Sequence, residues 1–209
     1  MPADLIHLVR HGEVHNPERI LYGRIAGYHL STLGHEMAAV AATSFEGRDI
    51  RRLIASPLQR TQESAKPWAD LFELPIETDE RIIEPHNWFE GTRMRERLRN
   101  PISWPRLINP MRPSWGESYR SVLTRMFSAI DDAWAETVSG EVVLVSHQMP
   151  IVTVARNVAG RVPFHDPRKR RCTLSSITTL QREGDRFVEV DYREPARELL
   201  ENSIDLGAV

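Results

Sequence analysis

The chain has 209 residues, of which 41% are hydrophobic, 27% charged and 7% aromatic, a composition that excludes disordered, collagen-like and disulfide-scaffold proteins. Twenty-seven Lys and Arg against 29 Asp and Glu leave a formal charge of −2, so no overall field favours nucleic acid or an anionic membrane, and any anion-binding site must be local. A single cysteine, Cys172, cannot close an internal disulfide. No basic leader with an apolar stretch opens the chain and no apolar run reaches about 20 residues, so a cytoplasmic protein without a membrane span is expected.

The short apolar run Leu5 to Val9 ends at Arg10-His11-Gly12 and reads as a strand buried on both faces, as in a parallel sheet. After a loop rich in Gly, Tyr and His, Ser31 serves as N-cap of a helix predicted from Thr32 to Phe45 and stopped near Gly47. A second strand is expected from Arg51 to Ala55. Ser56-Pro57 then has helix-start chemistry, and a helix from Leu58 to Phe72 should be kinked at Pro67.

Residues 85 to 115 break this alternation. Five prolines are interleaved there with Arg93, Arg95, Arg97, Arg99, Arg106, Arg112 and with Trp88, Trp104 and Trp115, which suggests an insertion over one end of the sheet. Tyr119, Val122, Met126, Ile130 and Trp134 fall near helical spacing and predict a long amphipathic helix over about 117 to 137. Glu141 to Ser146 is a third apolar strand, ending at His147, and Pro150 to Ala159 reads as a helix. Thr173 to Gln181 and Phe187 to Tyr192 flank Glu183-Gly184-Asp185 as a hairpin would. The expected fold is a single α/β domain of three αβα layers around a mostly parallel sheet.

Ligands of parallel α/β sheets bind beyond the carboxyl ends of the strands. The first strand delivers Arg10 and His11 to that edge, the second leads to Arg60, and the third delivers His147. Arginine forks match phosphate oxygens and a neutral imidazole attacks phosphorus, so the convergence points to phosphoryl chemistry. Each of these residues alone reads more readily as an ordinary polar group at a strand or helix end. Gly12 permits close backbone approach beside the Arg-His pair. Seven of the eight histidines lack ligand spacing for a metal, the exception, His86 beside Glu84, reads as site lining, and no metal is required by this chemistry.

The string LVRHGE at 8 to 13 resembles the signature of the histidine phosphatase superfamily, which includes the cofactor-dependent phosphoglycerate mutases. YGR at 22 to 24, LSTLG at 30 to 34, ASPLQRTQESA at 55 to 65, IIEPHNWFEG at 82 to 91 and VSHQMPI at 145 to 151 match in the expected order. The resemblance implies a phosphoglycerate mutase-like fold, with His11 as the nucleophile that becomes a phosphohistidine. Arg10, Arg60 and His147 would bind phosphate, and Glu84 would be proton donor to the leaving oxygen and base toward water. Asn16, Tyr22, Gly23, His86 and Gln148 would line the substrate site, with Glu90 structural.

The sequence departs from the family pattern at several rim positions. Asn16 falls one residue early, Val14 replaces a small hydroxyl residue, Gly27 stands where aspartate is common, and the segment between Glu84 and Glu90 is one residue short. Gln148 replaces the glycine that follows the second histidine. These changes suggest altered substrate preference.

The activity expected is hydrolysis of a small phosphomonoester without metal or other cofactor. The alternatives are mutase-type transfer and, outside catalysis, a module that only binds phosphorylated ligands. A small phosphorylated metabolite is the expected partner, with neither nucleic acid nor membrane, and a homodimer is left open. The insertion arginines read equally as a solvated face or, for one or two of them, as readers of a second anionic group, while Arg168, Lys169, Arg170 and Arg171 read as a surface loop.

Overall fold

The computed structural model describes residues 2–93, 96, 99, 101, 115–166 and 169–205. Six strands form one sheet: β1 (Leu5–Arg10), β2 (Ile50–Ala55), β3 (Ile76–Thr78), β4 (Glu141–Ser146), β5 (Ile177–Glu183) and β6 (Arg186–Arg193). Their order is β3-β2-β4-β1-β5-β6, with β3, β2, β4 and β1 parallel and β5 and β6 antiparallel to their neighbours. Among the described residues the α-helices that flank the sheet are α1 (Thr32–Thr43), α2 (Gln59–Phe72), α3 (Tyr119–Glu136) and α4 (Gln148–Val158).

Strand alternation sorts the apolar side chains into two layers. Ile6, Leu8, Val142 and Leu144 point to α3 and α4, where they meet Val122, Met126, Ile130, Ile151 and Val154. Val9, Val143 and Val145 point the other way, onto Ala41 and Ala42 of α1, Phe45, and Ala65 and Trp68 of α2. Each fully buried Leu, Ile or Val contributes about 1.5–3 kcal/mol, so the two central strands, apolar on both faces, anchor the molecule.

Most predicted elements lie within a few residues of their expected limits, and Ser31 caps α1 by accepting from Gly34 N. The expected start of α2 is different. The boundary residue is Leu58, and Ser56 places its hydroxyl 2.8 Å from His147 Nε2 instead of on a helix N–H. Helix α2 contains Pro67 within its span. Strand β3 was not expected; three residues at the sheet edge are too few to show a period. The C-terminal segment forms a short 3-10 helix, Arg197–Asn202. Of the insertion, Arg95, Arg97, Trp104, Arg106 and Arg112 lie outside the described residues, as does Arg168. Among the described residues, no helix is long and apolar enough to cross a membrane.

Register places the site. Arg10 pairs with Ser146 across β1 and β4, and Ala55 pairs with Val145 across β2 and β4. His11 and His147 therefore leave the sheet side by side, with Ser56 next to them. From β1 the chain crosses toward β2, whereas α4 returns it to β5 on the opposite side, so the β1–β4 crevice is the topological switch point.

Deep in the sheet His7 sits between Thr179 Oγ1 and Glu141 Oε2, each at 3.0 Å, and Arg48 donates twice to the same carboxylate. Burial would raise the Glu141 carboxyl, but hydrogen bonds from His7 and Arg48 hold it at about 2. A depressed carboxyl contributes stability that is complete above its unfolded value and lost as pH falls toward 2. Glu141→Gln should lower stability at neutral pH by on the order of 1–3 kcal/mol, with the deficit shrinking in thermal melts taken at progressively lower pH.

Candidate active site

The chain turns sharply after β1 because two glycines touch. A Cβ on Gly12 would lie 2.3 Å from the Gly34 carbonyl oxygen, and one on Gly34 would lie 2.0 Å from that of Glu13. Helix α1 thus docks directly on the backbone that carries His11. Gly12 N donates to Ser64 Oγ at 3.1 Å, tying α2 to the same turn.

His11 is buried, with Nδ1 2.7 Å from the Gly12 carbonyl oxygen. That carbonyl can only accept, so Nδ1 carries the proton and Nε2 keeps a lone pair. Burial, followed by the charges of Arg60 and Arg10, lowers the His11 pKa well below its ordinary value. A neutral imidazole with a defined nucleophilic nitrogen results.

Arg60 crosses from α2 to donate through Nη2 to the Gly23 carbonyl at 2.8 Å and to His147 Nδ1 at 3.2 Å. Its guanidinium carbon lies 4.8 Å from the centre of the buried Tyr22 ring. Gly23 has φ +40°, and a Cβ there would meet the Glu90 carboxylate, which also accepts from Asn87 N; Glu90 thereby fixes the turn whose carbonyl holds Arg60. His147 accepts from Arg60 and so bears its proton on Nε2, donated to Ser56 Oγ. Burial and then Arg60 lower its pKa as well. The His11 and His147 rings stand 5.3 Å apart at 63°.

Arg10 is 1% exposed and donates to the Cys172 carbonyl at 2.7 Å. Its two terminal nitrogens also hold the Asp205 carboxylate, at 2.7 and 2.6 Å. Burial works against the Arg10 charge, but Asp205 outweighs it and raises the pKa. The tail is pinned again one residue earlier, where Ile204 N donates to Glu13 Oε1 at 2.6 Å. A side-chain carboxylate therefore occupies the fork that a phosphate would bridge.

Glu84 is fully buried, 3.9 Å from His147 Nδ1, and neither of its oxygens has a hydrogen-bond partner. Burial raises its pKa to about 7, against the pull of Arg60, Arg170, Arg10 and Arg125. The Nε atoms of Arg10 and Arg60 are likewise buried without partners. A carboxyl whose pKa is raised to about 7, two guanidiniums and a neutral imidazole are thus assembled at one strand edge. Such a set can bind a tetrahedral anion, attack it and protonate what leaves.

The remaining predicted residues are more peripheral. Asn16 turns its amide to Ile20, donating to its carbonyl at 2.8 Å and accepting from its N–H at 3.2 Å, while lining a cavity with Tyr22 and Asp205. Gly23 acts through its carbonyl. His86 is exposed, with its backbone oxygen accepting from Glu117 N. Gln148 is buried and bonds to the Cys172 carbonyl at 3.2 Å. Exposed Arg93 donates to the Glu18 carbonyl. The loop expected for the basic run is only partly superficial: Lys169 and Arg171 are exposed, but Arg170 reaches Gln148 Oε1 at 3.1 Å. Sequence reasoning missed the Cys172 carbonyl, Arg170 and Asp205. Among the described residues no group of three or more His, Cys, Asp or Glu is placed to hold a metal ion.

A buried carboxyl kept neutral destabilises the fold wherever the unfolded chain would ionise it. Its effect is nil below the ordinary carboxylate range and grows as pH rises to about 7. Glu84→Gln should match the parent in urea melts near pH 4 and exceed it by up to about 3 kcal/mol near pH 7.

Comparison with known proteins gives this geometry a lineage. The chain is 48% identical over 200 residues to the uncharacterized protein Rv0525 of Mycobacterium tuberculosis, covering 94% of this chain and 99% of that one. It is 32% identical over 180 residues to the probable phosphoglycerate mutase GpmB of Yersinia enterocolitica, covering 82% and 83%. In fold it resembles the phosphoserine phosphatase of Entamoeba histolytica, solved with 3-phosphoglyceric acid, at a TM-score of 0.76 and 21% identity over 90% of this chain and 96% of that one. The model of the histidine phosphatase superfamily, branch 1, matches residues 6–195, and the chain belongs to that superfamily.

Proposed function

We propose that the protein is a phosphatase that hydrolyses small phosphomonoesters through a phosphohistidine on His11. The observation that carries this reading is the fixed tautomer of His11, Nδ1 bonded to Gly12 and Nε2 left as nucleophile, beside two buried guanidiniums. Nε2 attacks phosphorus as the ester P–O bond breaks; the electron pair passes to the leaving oxygen, which takes the Glu84 proton. Glu84, now a carboxylate, then removes a proton from water. The water oxygen attacks phosphorus, the P–N bond breaks, and its pair returns to Nε2 with phosphate released. Arg10 and Arg60 supply the charge that stabilises both transition states, so no step calls on a metal. His147 holds Arg60 in place, and its own contact with phosphate requires exchange of one of its present partners.

The similarity to GpmB favours one alternative, return of the phosphoryl group to a second hydroxyl. Conversion of 3-phosphoglycerate to its 2-isomer in the presence of a bisphosphoglycerate separates that outcome from release of inorganic phosphate.

Hydrolysis of p-nitrophenyl phosphate should survive EDTA and vanish in His11→Ala. With an alkyl phosphate, whose leaving group needs a proton, kcat/KM should fall as pH rises through about 7, and Glu84→Gln should cost about 10²–10⁴-fold. A metal requirement, or full activity in His11→Ala, would overturn the reading.

Substrate must displace Asp205 from Arg10. Asp205→Asn removes the competing charge, so KM for phosphomonoesters and the inhibition constant of inorganic phosphate should both drop, by about tenfold at low ionic strength. Unchanged constants would show that the tail does not compete.

A further inference from the structure

A second cavity is lined by α4, β6 and the basic loop that follows α4. It holds about 540 Å³, within the range of small-molecule sites, and its described lining includes none of Arg10, His11, Arg60, Glu84 and His147. It also shares no described residue with the cavity that Asn16 lines with Tyr22 and Asp205. Val152, Ala155 and Val158 recur at helical spacing along α4 and, with Ala159 just beyond, supply an aliphatic floor that Val188 of β6 completes. The rim is cationic: Arg156, Arg161, Lys169, Arg170 and Arg171 stand there against one described carboxylate, that of Glu189.

Three of these cations are taken up by their neighbours. Arg156, in the last turn of α4, donates to the carbonyls of Val162 at 2.8 Å and Phe164 at 3.2 Å, which fastens the loop and answers the helix dipole. Arg170 is engaged by Gln148 Oε1 at 3.1 Å and by His165 Nε2 at 2.9 Å. Arg171 pairs with Glu189, its guanidinium carbon 4.4 Å from the centre of the Tyr192 ring. Arg161 and Lys169 are exposed, and neither side chain has a carboxylate or hydrogen-bond partner among the described residues. A solvated basic face needs no aliphatic floor beneath it, and a floor that needs only cover calls for no charge. Both together fit a ligand with an anionic head and an apolar body. The described lining holds no Phe, Tyr or Trp on which a nucleobase would stack, so the body is aliphatic.

We infer that this cavity binds a small aliphatic anion, a straight-chain carboxylate of about six to ten carbons, with its head taken by Arg161 and Lys169 and its chain laid along Val152, Ala155, Val158 and Val188. The site is distinct from the phosphoryl-transfer pocket and does not depend on the phosphatase reading. Head and chain act together. Exposed charges alone hold an anion weakly in water, and the chain contributes by removing aliphatic surface from solvent on both sides of the contact.

Calorimetric titration with octanoate, set against acetate and 1-octanol, tests both parts, since acetate has the head without the chain and octanol the chain without the charge. Octanoate should bind about tenfold more tightly than either. Charge reversal at the two exposed positions, Arg161→Glu with Lys169→Glu, should weaken octanoate by about tenfold and leave octanol unchanged. Ala155→Trp, which fills the floor, should remove octanoate binding in a protein whose thermal melt shows it folded. Lys66→Glu, at an exposed cation of α2 in the opposite layer, should change nothing. Inorganic phosphate, with ionic strength matched by chloride, should not displace octanoate. Octanoate bound no more tightly than acetate or octanol, wild-type affinity in the doubly reversed variant, or displacement by phosphate overturns the site.

Discussion

Two guanidinium charges are buried at the switch point of the sheet, and the surrounding structure is organised by what satisfies them. Arg10 and Arg60 are each 1% exposed. Left alone, such charges would cost several kcal/mol apiece. Backbone carbonyls of Gly23 and Cys172, the neutral ring of His147 and the Asp205 carboxylate share the task. The close contact of Gly12 with Gly34 and the seating of Glu90 on Gly23 keep those partners in place. Nε of both arginines still lacks a partner, as do both oxygens of Glu84. Buried groups left open in this way suit a ligand that brings its own oxygens.

The same charges set the protonation states. They deepen the depression of both histidine pKa values that burial begins, and they oppose burial at Glu84. Burial wins at the carboxyl because no hydrogen bond reaches it. Neutral bases and a carboxyl that holds its proton up to about pH 7 coexist beside strong cations, a division that solvent exposure would erase.

How much of this was written locally varies by residue. β1 and β4 are continuous apolar runs, so their ends, and with them His11 and His147, were readable, as were the capped helix at Ser31 and the ordered motifs through 151. Ser56 was misread because its hydroxyl had two eligible partners, a helix N–H and an imidazole some 90 residues away, and only the register of β2 with β4 decides between them. The Cys172 carbonyl is backbone and has no residue signature. Asp205 meets Arg10 across 195 residues and Arg170 reaches Gln148 from the far side of a loop, and nothing in a basic run or an acidic tail marks the one side chain that turns inward.

The Asp205 contact has an implication for how such an enzyme would respond to its surroundings. A carboxylate tethered to the same chain competes at an effective concentration set by the tether, commonly in the millimolar range, and no change in metabolite level dilutes it. Ester present well below that concentration would meet a mostly occupied pocket. The apparent KM would then be raised, and the rate would track ester concentration over a wide range instead of saturating early.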